Sequence, residues 1–150
     1  MLHTPGHARG HLCFVEERTR AAVVGDMVAG VGTIVIDPPE GDMQDYLQQL
    51  ARLRDLPVGT LYASHGPPIP DGPRKLEEYL AHRRAREERI LEALPTVGAG
   101  ITLPEVVGLA YGDTPPFLHP VAERSALASL EKLQREGRVR VDGVRYARCA

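Results

Sequence analysis

One short run limits most strongly what this chain can fold into. Ala21-Ala22-Val23-Val24-Gly25 is apolar throughout and is followed at once by Asp26. The run reads as a strand, and its lack of polar alternation predicts a sheet buried on both faces. A carboxylate at the end of a buried strand is poorly placed for packing and well placed for a site. Leu61-Tyr62-Ala63-Ser64 repeats the arrangement on a smaller scale. It is a short strand candidate that runs into His65-Gly66-Pro67-Pro68-Ile69-Pro70, a histidine on a rigid loop.

The elements around these two runs alternate. His11 to Glu16 reads as a strand, joined to the apolar run by the charged turn Glu17-Arg18-Thr19-Arg20. Residues 27 to 41 are rich in Gly and Pro. Asp42 then reads as an N-cap, with Met43, Tyr46, Leu47, Leu50 and Leu53 at helical spacing until Pro57 forbids continuation. Asp71 and Pro73 open a long helix to about Leu94, with Leu76, Tyr79, Leu80, Ile90, Leu91 and Leu94 inward. On these apolar stripes Tyr46 and Tyr79 read as core residues. Strands interleaved with helices indicate an α/β layer.

Pro95 to Gly100 reads as a linker, after which the pattern changes. Thr102-Leu103-Pro104-Glu105 is a capping box opening a short helix through Tyr111. A longer helix follows from His119 to Glu136, with Gly137 as its C-cap. The segments 138–141 and 144–148 alternate around Asp142-Gly143, a hairpin signal. Two helices and a hairpin form a winged-helix pattern. The expected domains are therefore 1–94 and 95–150.

Composition sets few limits. The net charge of −2 favours neither nucleic acid nor an acidic partner. No apolar run approaches the roughly 18 residues of a membrane span, and no basic flank with an apolar segment marks a signal peptide. Cys13 and Cys149 stand far apart with no CxxC, which suits a reducing, cytoplasmic setting.

The chemistry gathers in loops beside strand ends. His3, His7 and His11 fall in nine residues punctuated by Pro5, Gly6 and Gly10. His3, Asp26 and His65 each adjoin a predicted strand end, where sites collect in layered α/β folds. Two imidazoles and a carboxylate suit zinc or a similar first-row metal.

The motifs carry a family resemblance. His3-Thr-Pro-Gly-His7, Gly25-Asp26 and Ser64-His65-Gly66-Pro67, in this order, resemble the third, fourth and fifth motifs of the metallo-β-lactamase superfamily. The text from Gly25-Asp26-Met27 through Gly30-Val31-Gly32-Thr33 to His65-Gly66-Pro67-Pro68-Ile69 is similar to the beta-lactamase-like protein 2 branch. So are Tyr79-Leu80-Ala81-His82-Arg83, the following Arg86-Glu87 and Ile90-Leu91, and the winged-helix tail. The resemblance implies the C-terminal half of an αββα sandwich followed by a winged helix. It implies a two-zinc hydrolase acting on an ester or phosphodiester, with single-stranded RNA among the substrates. His3 would ligate the first metal, Asp26 would bridge the two and serve as the catalytic carboxylate, and His65 would ligate the second. His7 would brace the loop, and His11 takes no definite role.

The superfamily's Thr-His-x-His-x-Asp-His string is absent from these 150 residues. His3 and Asp26 on one metal, and Asp26 and His65 on the other, fall short of the three protein ligands a catalytic zinc takes. The expectation is an incomplete hydrolase, inactive by itself. A glyoxalase-II-like thioesterase is the alternative within the class. Another is a non-catalytic nucleic-acid module that uses the wing. In the hairpin, Asp142-Gly143 as the turn would set Arg140 opposite Arg145. Like charges face each other there unless a phosphate sits between them.

Overall fold

The computed structural model describes residues 1–149. Contacts divide the chain into two compact units, Met1–His82 and Arg83–Ala150.

In the first unit four strands form one sheet: β1 (Leu2–His3), β2 (Leu12–Val15), β3 (Ala22–Gly25) and β4 (Leu61–Ala63), in spatial order β1-β2-β3-β4. β1 and β2 pair antiparallel, as do β2 and β3, with Phe14 opposite Val23. β3 and β4 run parallel, with Val23 opposite Tyr62 and Gly25 opposite Ala63. A parallel pair needs a crossover connection, and α1 (Met43–Asp55) lies within it. Asp42 caps this helix by accepting from the backbone N–H groups of Gln44 and Asp45 at 2.8 and 3.0 Å. Leu56 ends it in extended conformation just before Pro57. Tyr46, Leu50 and Leu53 of α1 are fully buried, and so is Leu76 of α2 (Gly72–Ala93).

Within this chain one face of the sheet is covered and the other is not. Cys13, Ala22, Val24 and Leu61 are completely buried. Their neighbours Leu12, Phe14, Val23 and Tyr62 are 39 to 55% exposed. Side chains alternate across a strand, so one face meets the apolar helix stripes and the other presents a row of apolar side chains to solvent. An apolar sequence does not by itself report which faces are covered.

The second unit begins inside α2. Ile90, Leu91 and Leu94 pack with Val106 and Val107 of α3 (Leu103–Ala110), with Ala126, Leu130 and Leu133 of α4 (His119–Arg135), and with Val139. The sequence expectation drew its line at residue 94. Contacts divide at residue 82 instead, because the last turns of the helix bury their apolar face in the C-terminal core. Arg86 binds both carboxylate oxygens of Asp113, at 2.9 and 3.2 Å, and lies 4.1 Å from the centre of the Tyr111 ring.

A three-stranded sheet completes this unit: β5 (Ile101–Thr102), β6 (Val139–Asp142) and β7 (Arg145–Arg148), with β7 central. The hairpin register differs from the sequence expectation. Asp142 pairs with Arg145, and Arg140 pairs with Ala147. The turn is therefore Gly143-Val144, with Gly143 at φ +58°. The facing of Arg140 and Arg145 does not occur. Arg140 donates to the Gly98 carbonyl at 2.9 Å and Arg145 to the Gly100 carbonyl at 3.0 Å. Among the described residues no helix is long and apolar enough to cross a membrane.

Candidate metal centre

Topology brings three loops to one edge of the first sheet. β3 and β4 are parallel neighbours, so the residues that follow them, Asp26 and His65, emerge side by side. β2 is antiparallel to β3, so its start lies at the same edge. The loop that enters it carries His7 and His11.

Asp26 sits between two imidazoles. His65 Nε2 lies 3.5 Å from Asp26 Oδ1, and His7 Nε2 lies 3.7 Å from Oδ2. These distances exceed a hydrogen bond, and Asp26 Oδ1 is buried with no hydrogen-bond partner. The His7 ring is oriented from behind. Its Nδ1 lies 3.0 Å from the Val35 carbonyl. A carbonyl only accepts, so Nδ1 carries a hydrogen, and Nε2 is the ring nitrogen turned toward the carboxylate. An imidazole nitrogen and a carboxylate oxygen then face each other across a gap, an arrangement that suits a metal cation between them or a proton on the ring. A metal-binding histidine typically donates its other ring N–H to a backbone carbonyl in this way.

His3 occupies a different place. Its Nε2 donates to the Arg9 carbonyl at 2.8 Å, and its own carbonyl accepts from Arg52 at 3.2 Å. The loop residue expected to brace thus presents Nε2 to Asp26, while the Nε2 of the expected ligand, His3, is taken by the Arg9 carbonyl. Spacing within a loop does not tell which ring turns inward. Among the described residues no group of three or more His, Cys, Asp or Glu side chains is arranged to hold a metal ion by itself. The donors fit a metal in kind and fall short in number.

His11 is the site residue that sequence reasoning left without a role. Its Nε2 accepts the backbone N–H of Asp26 at 3.1 Å, so the hydrogen is on Nδ1, which lies 2.8 Å from Thr4 Oγ1. The fully buried Thr4 hydroxyl in turn lies 3.3 Å from Cys13 Sγ. Burial, and then the neighbouring His7, lower the His11 pKa, which keeps the ring in the neutral form this relay requires. Gly25 leaves room for it. At φ +50°, a Cβ on Gly25 would stand 2.5 Å from His11 Nε2.

His65 is placed by its backbone. Its ring is 71% exposed, but its carbonyl accepts the Gly30 N–H at 2.8 Å. Here the two loops touch main chain to main chain. A Cβ on Gly66 would stand 2.9 Å from Gly30 Cα, and one on Gly30 would stand 2.7 Å from the Pro67 carbonyl.

Comparison with known proteins identifies the family. The Metallo-beta-lactamase superfamily profile matches residues 1–65, and the Beta-lactamase associated winged helix domain profile matches residues 102–146. A metallo-beta-lactamase family protein from Thermus thermophilus superposes with a TM-score of 0.82 at 33% identity, over 98% of this chain and 48% of that one. The chain belongs to the metallo-beta-lactamase superfamily and has the α/β fold and winged helix of such proteins. Among named relatives, it is 32% identical to the Beta-lactamase-like protein 2 homolog of Caenorhabditis elegans, over 91% of this chain and 45% of the relative. It is also 32% identical to Lactamase-like protein adaB of Aspergillus niger, over 95% of this chain and 47% of the relative. The chain spans about half the length of the curated relatives it matches.

Proposed function

We propose that this chain contributes one side of the metal site of a hydrolase that cleaves an ester or phosphodiester, with zinc as the metal. His7, Asp26 and His65 hold it from this side. The observation that carries the reading is the buried Oδ1 of Asp26, which has no hydrogen-bond partner, in a carboxylate flanked by the Nε2 atoms of His65 and His7. A catalytic zinc takes three protein ligands and keeps one position open. The remaining ligands belong, in this reading, to the part of the relatives' length that these 150 residues do not span. When bound, such a metal acts as a Lewis acid and brings the pKa of water down to about 7.

The chain's own groups do the positioning. Val35 fixes the His7 tautomer, and His11 holds the Asp26 main chain. Asp26 lies between the two rings, as a bridging carboxylate would. The substrate is an ester, a thioester or single-stranded RNA. The alternative of a nucleic-acid module working through the wing gains no support from Arg140 and Arg145, since both bind linker carbonyls.

Zinc titration followed on the imidazole NMR signals tests the site. The expected result is weak binding that moves the His7 and His65 signals together and is lost in Asp26→Asn. Two tightly bound zinc ions per chain would overturn the ligand count. Zinc that leaves both rings unmoved would overturn the site. Assays of a longer form carrying the remaining ligands, against a thioester and a single-stranded RNA, decide the substrate.

A further inference from the structure

Tyr79 is 5% exposed and lies on the apolar stripe of α2, where a phenylalanine would fill the same space. Its hydroxyl is nevertheless engaged by the loop that follows Asp26. Tyr79 Oη accepts the Ala29 N–H at 2.8 Å and lies 2.9 Å from the Gly32 carbonyl, to which it donates. One phenol therefore closes the turn 29–32 from both sides. Within that turn, Gly30 donates to the His65 carbonyl at 2.8 Å, and the Gly30 and Gly66 main chains are in contact. The His65 ring is 71% exposed, so no close packing around the ring sets its position. Its main chain is held on both sides, by Gly30 and, through the Ser64 N–H at 3.1 Å, by the Gly25 carbonyl.

We propose that the Tyr79 hydroxyl is a positioning group for His65. It holds the turn 29–32 at the distance from which Gly30 can grip the histidine loop, and so sets the spacing of His65 from Asp26. The role rests on the hydroxyl, while the ring contributes to the core. Tyr46 Oη treats the residue after Asp26 in a similar way, donating to the Met27 carbonyl at 2.6 Å. Helices α1 and α2 thus each extend one phenol to the segment that joins the two candidate ligand loops. The functional weight of the proposal rests on the metal-site reading above; its structural content does not.

Tyr79→Phe tests it, with Leu76→Ala as the companion variant. Leu76 is fully buried on the same helix. The Ala29 amide loses its acceptor directly in Tyr79→Phe, so the informative probe is Gly30, one residue further along. Its hydrogen exchange is expected to quicken about tenfold relative to the amides of β3. The His65 ring signals are expected to shift while those of His119 stay in place. Leu76→Ala is expected to quicken exchange in β3 and at Gly30 together and to leave the His65 ring signals unmoved. A Gly30 rate within twofold of the β3 change in Tyr79→Phe would overturn the proposal, as would an unmoved His65 ring. Zinc titration of both variants separates the two ideas. If Tyr79→Phe moves His65 but neither wild type nor variant binds zinc, the positioning role stands and the metal reading falls. If wild type binds zinc at His65 and Tyr79→Phe binds it with unchanged affinity and unmoved rings, the positioning role falls alone.

Discussion

Gly25→Ala should damage the centre by way of His11. Two costs combine at this position. Gly25 has φ +50°, a conformation that costs an L-residue about 1–2 kcal/mol. The new Cβ would also stand 2.5 Å from His11 Nε2, well inside contact distance, so the imidazole must move away. Moving it breaks the bond from the Asp26 N–H, and leaving that group unsatisfied costs about 1–3 kcal/mol. The sum is roughly 2–5 kcal/mol. Urea unfolding followed by circular dichroism measures it, with linear extrapolation to water.

The double variant is the sharper test. Removing the ring in His11→Ala removes both the clash and the acceptor, so Gly25→Ala should then cost only its backbone share. The two changes should fall short of additivity by about 1–3 kcal/mol. A Gly25→Ala cost under about 1 kcal/mol would refute the argument. So would additivity within about 0.5 kcal/mol, since the loss would then not run through His11.

Further expectations concern the second unit and the open sheet face. Hydrogen bonds from Arg86 and Arg89 hold the Asp113 carboxyl well below the usual carboxylate range. A depressed folded pKa stabilises above the unfolded value of about 3.9 and loses that stabilisation as pH falls toward the folded value. Asp113 is half exposed, so solvent screening limits the gap between wild type and Asp113→Asn to about 1 kcal/mol at pH 7. Thermal melts should show that gap closing below about pH 4, and a gap constant from pH 7 to pH 3 would refute it. The row Leu12, Phe14, Val23 and Tyr62 should make the isolated chain self-associate as its concentration rises. Val23→Lys should shift sedimentation toward monomer, and unchanged association would show that this face is not the contact.

Much of the centre was legible because strand ends are legible. An apolar run closed by Asp26, and a second short run closed by His65, placed both residues in loops. Local patterning also revealed the helix caps, since Asp42 and Thr102 act within three residues of themselves. Three things were not legible. His3 and His7 are equivalent as letters in a loop, and only the positions of Arg9 and Val35, the latter 28 residues away, decide which ring faces Asp26. The hairpin offered Asp142-Gly143 as its turn, but the structure turns at Gly143-Val144, and this shift dissolved the facing arginines. The apolar run 21–25 could not say that Val23 points to solvent.

The sequence by itself therefore determined the element order, the family motifs and the two strand-end side chains. Those depend on local periodicity, capping and residue chemistry, which act over a few residues. Only the tertiary structure decided that β3 and β4 run parallel with Gly25 beside Ala63, which sets Asp26 next to His65. It alone decided that His11, and not a solvent molecule, takes the Asp26 amide, and that Tyr79 reaches 50 residues back to hold Ala29. These are contacts between segments distant in sequence. Their partners are chosen by which groups must be satisfied once the chain has closed around them.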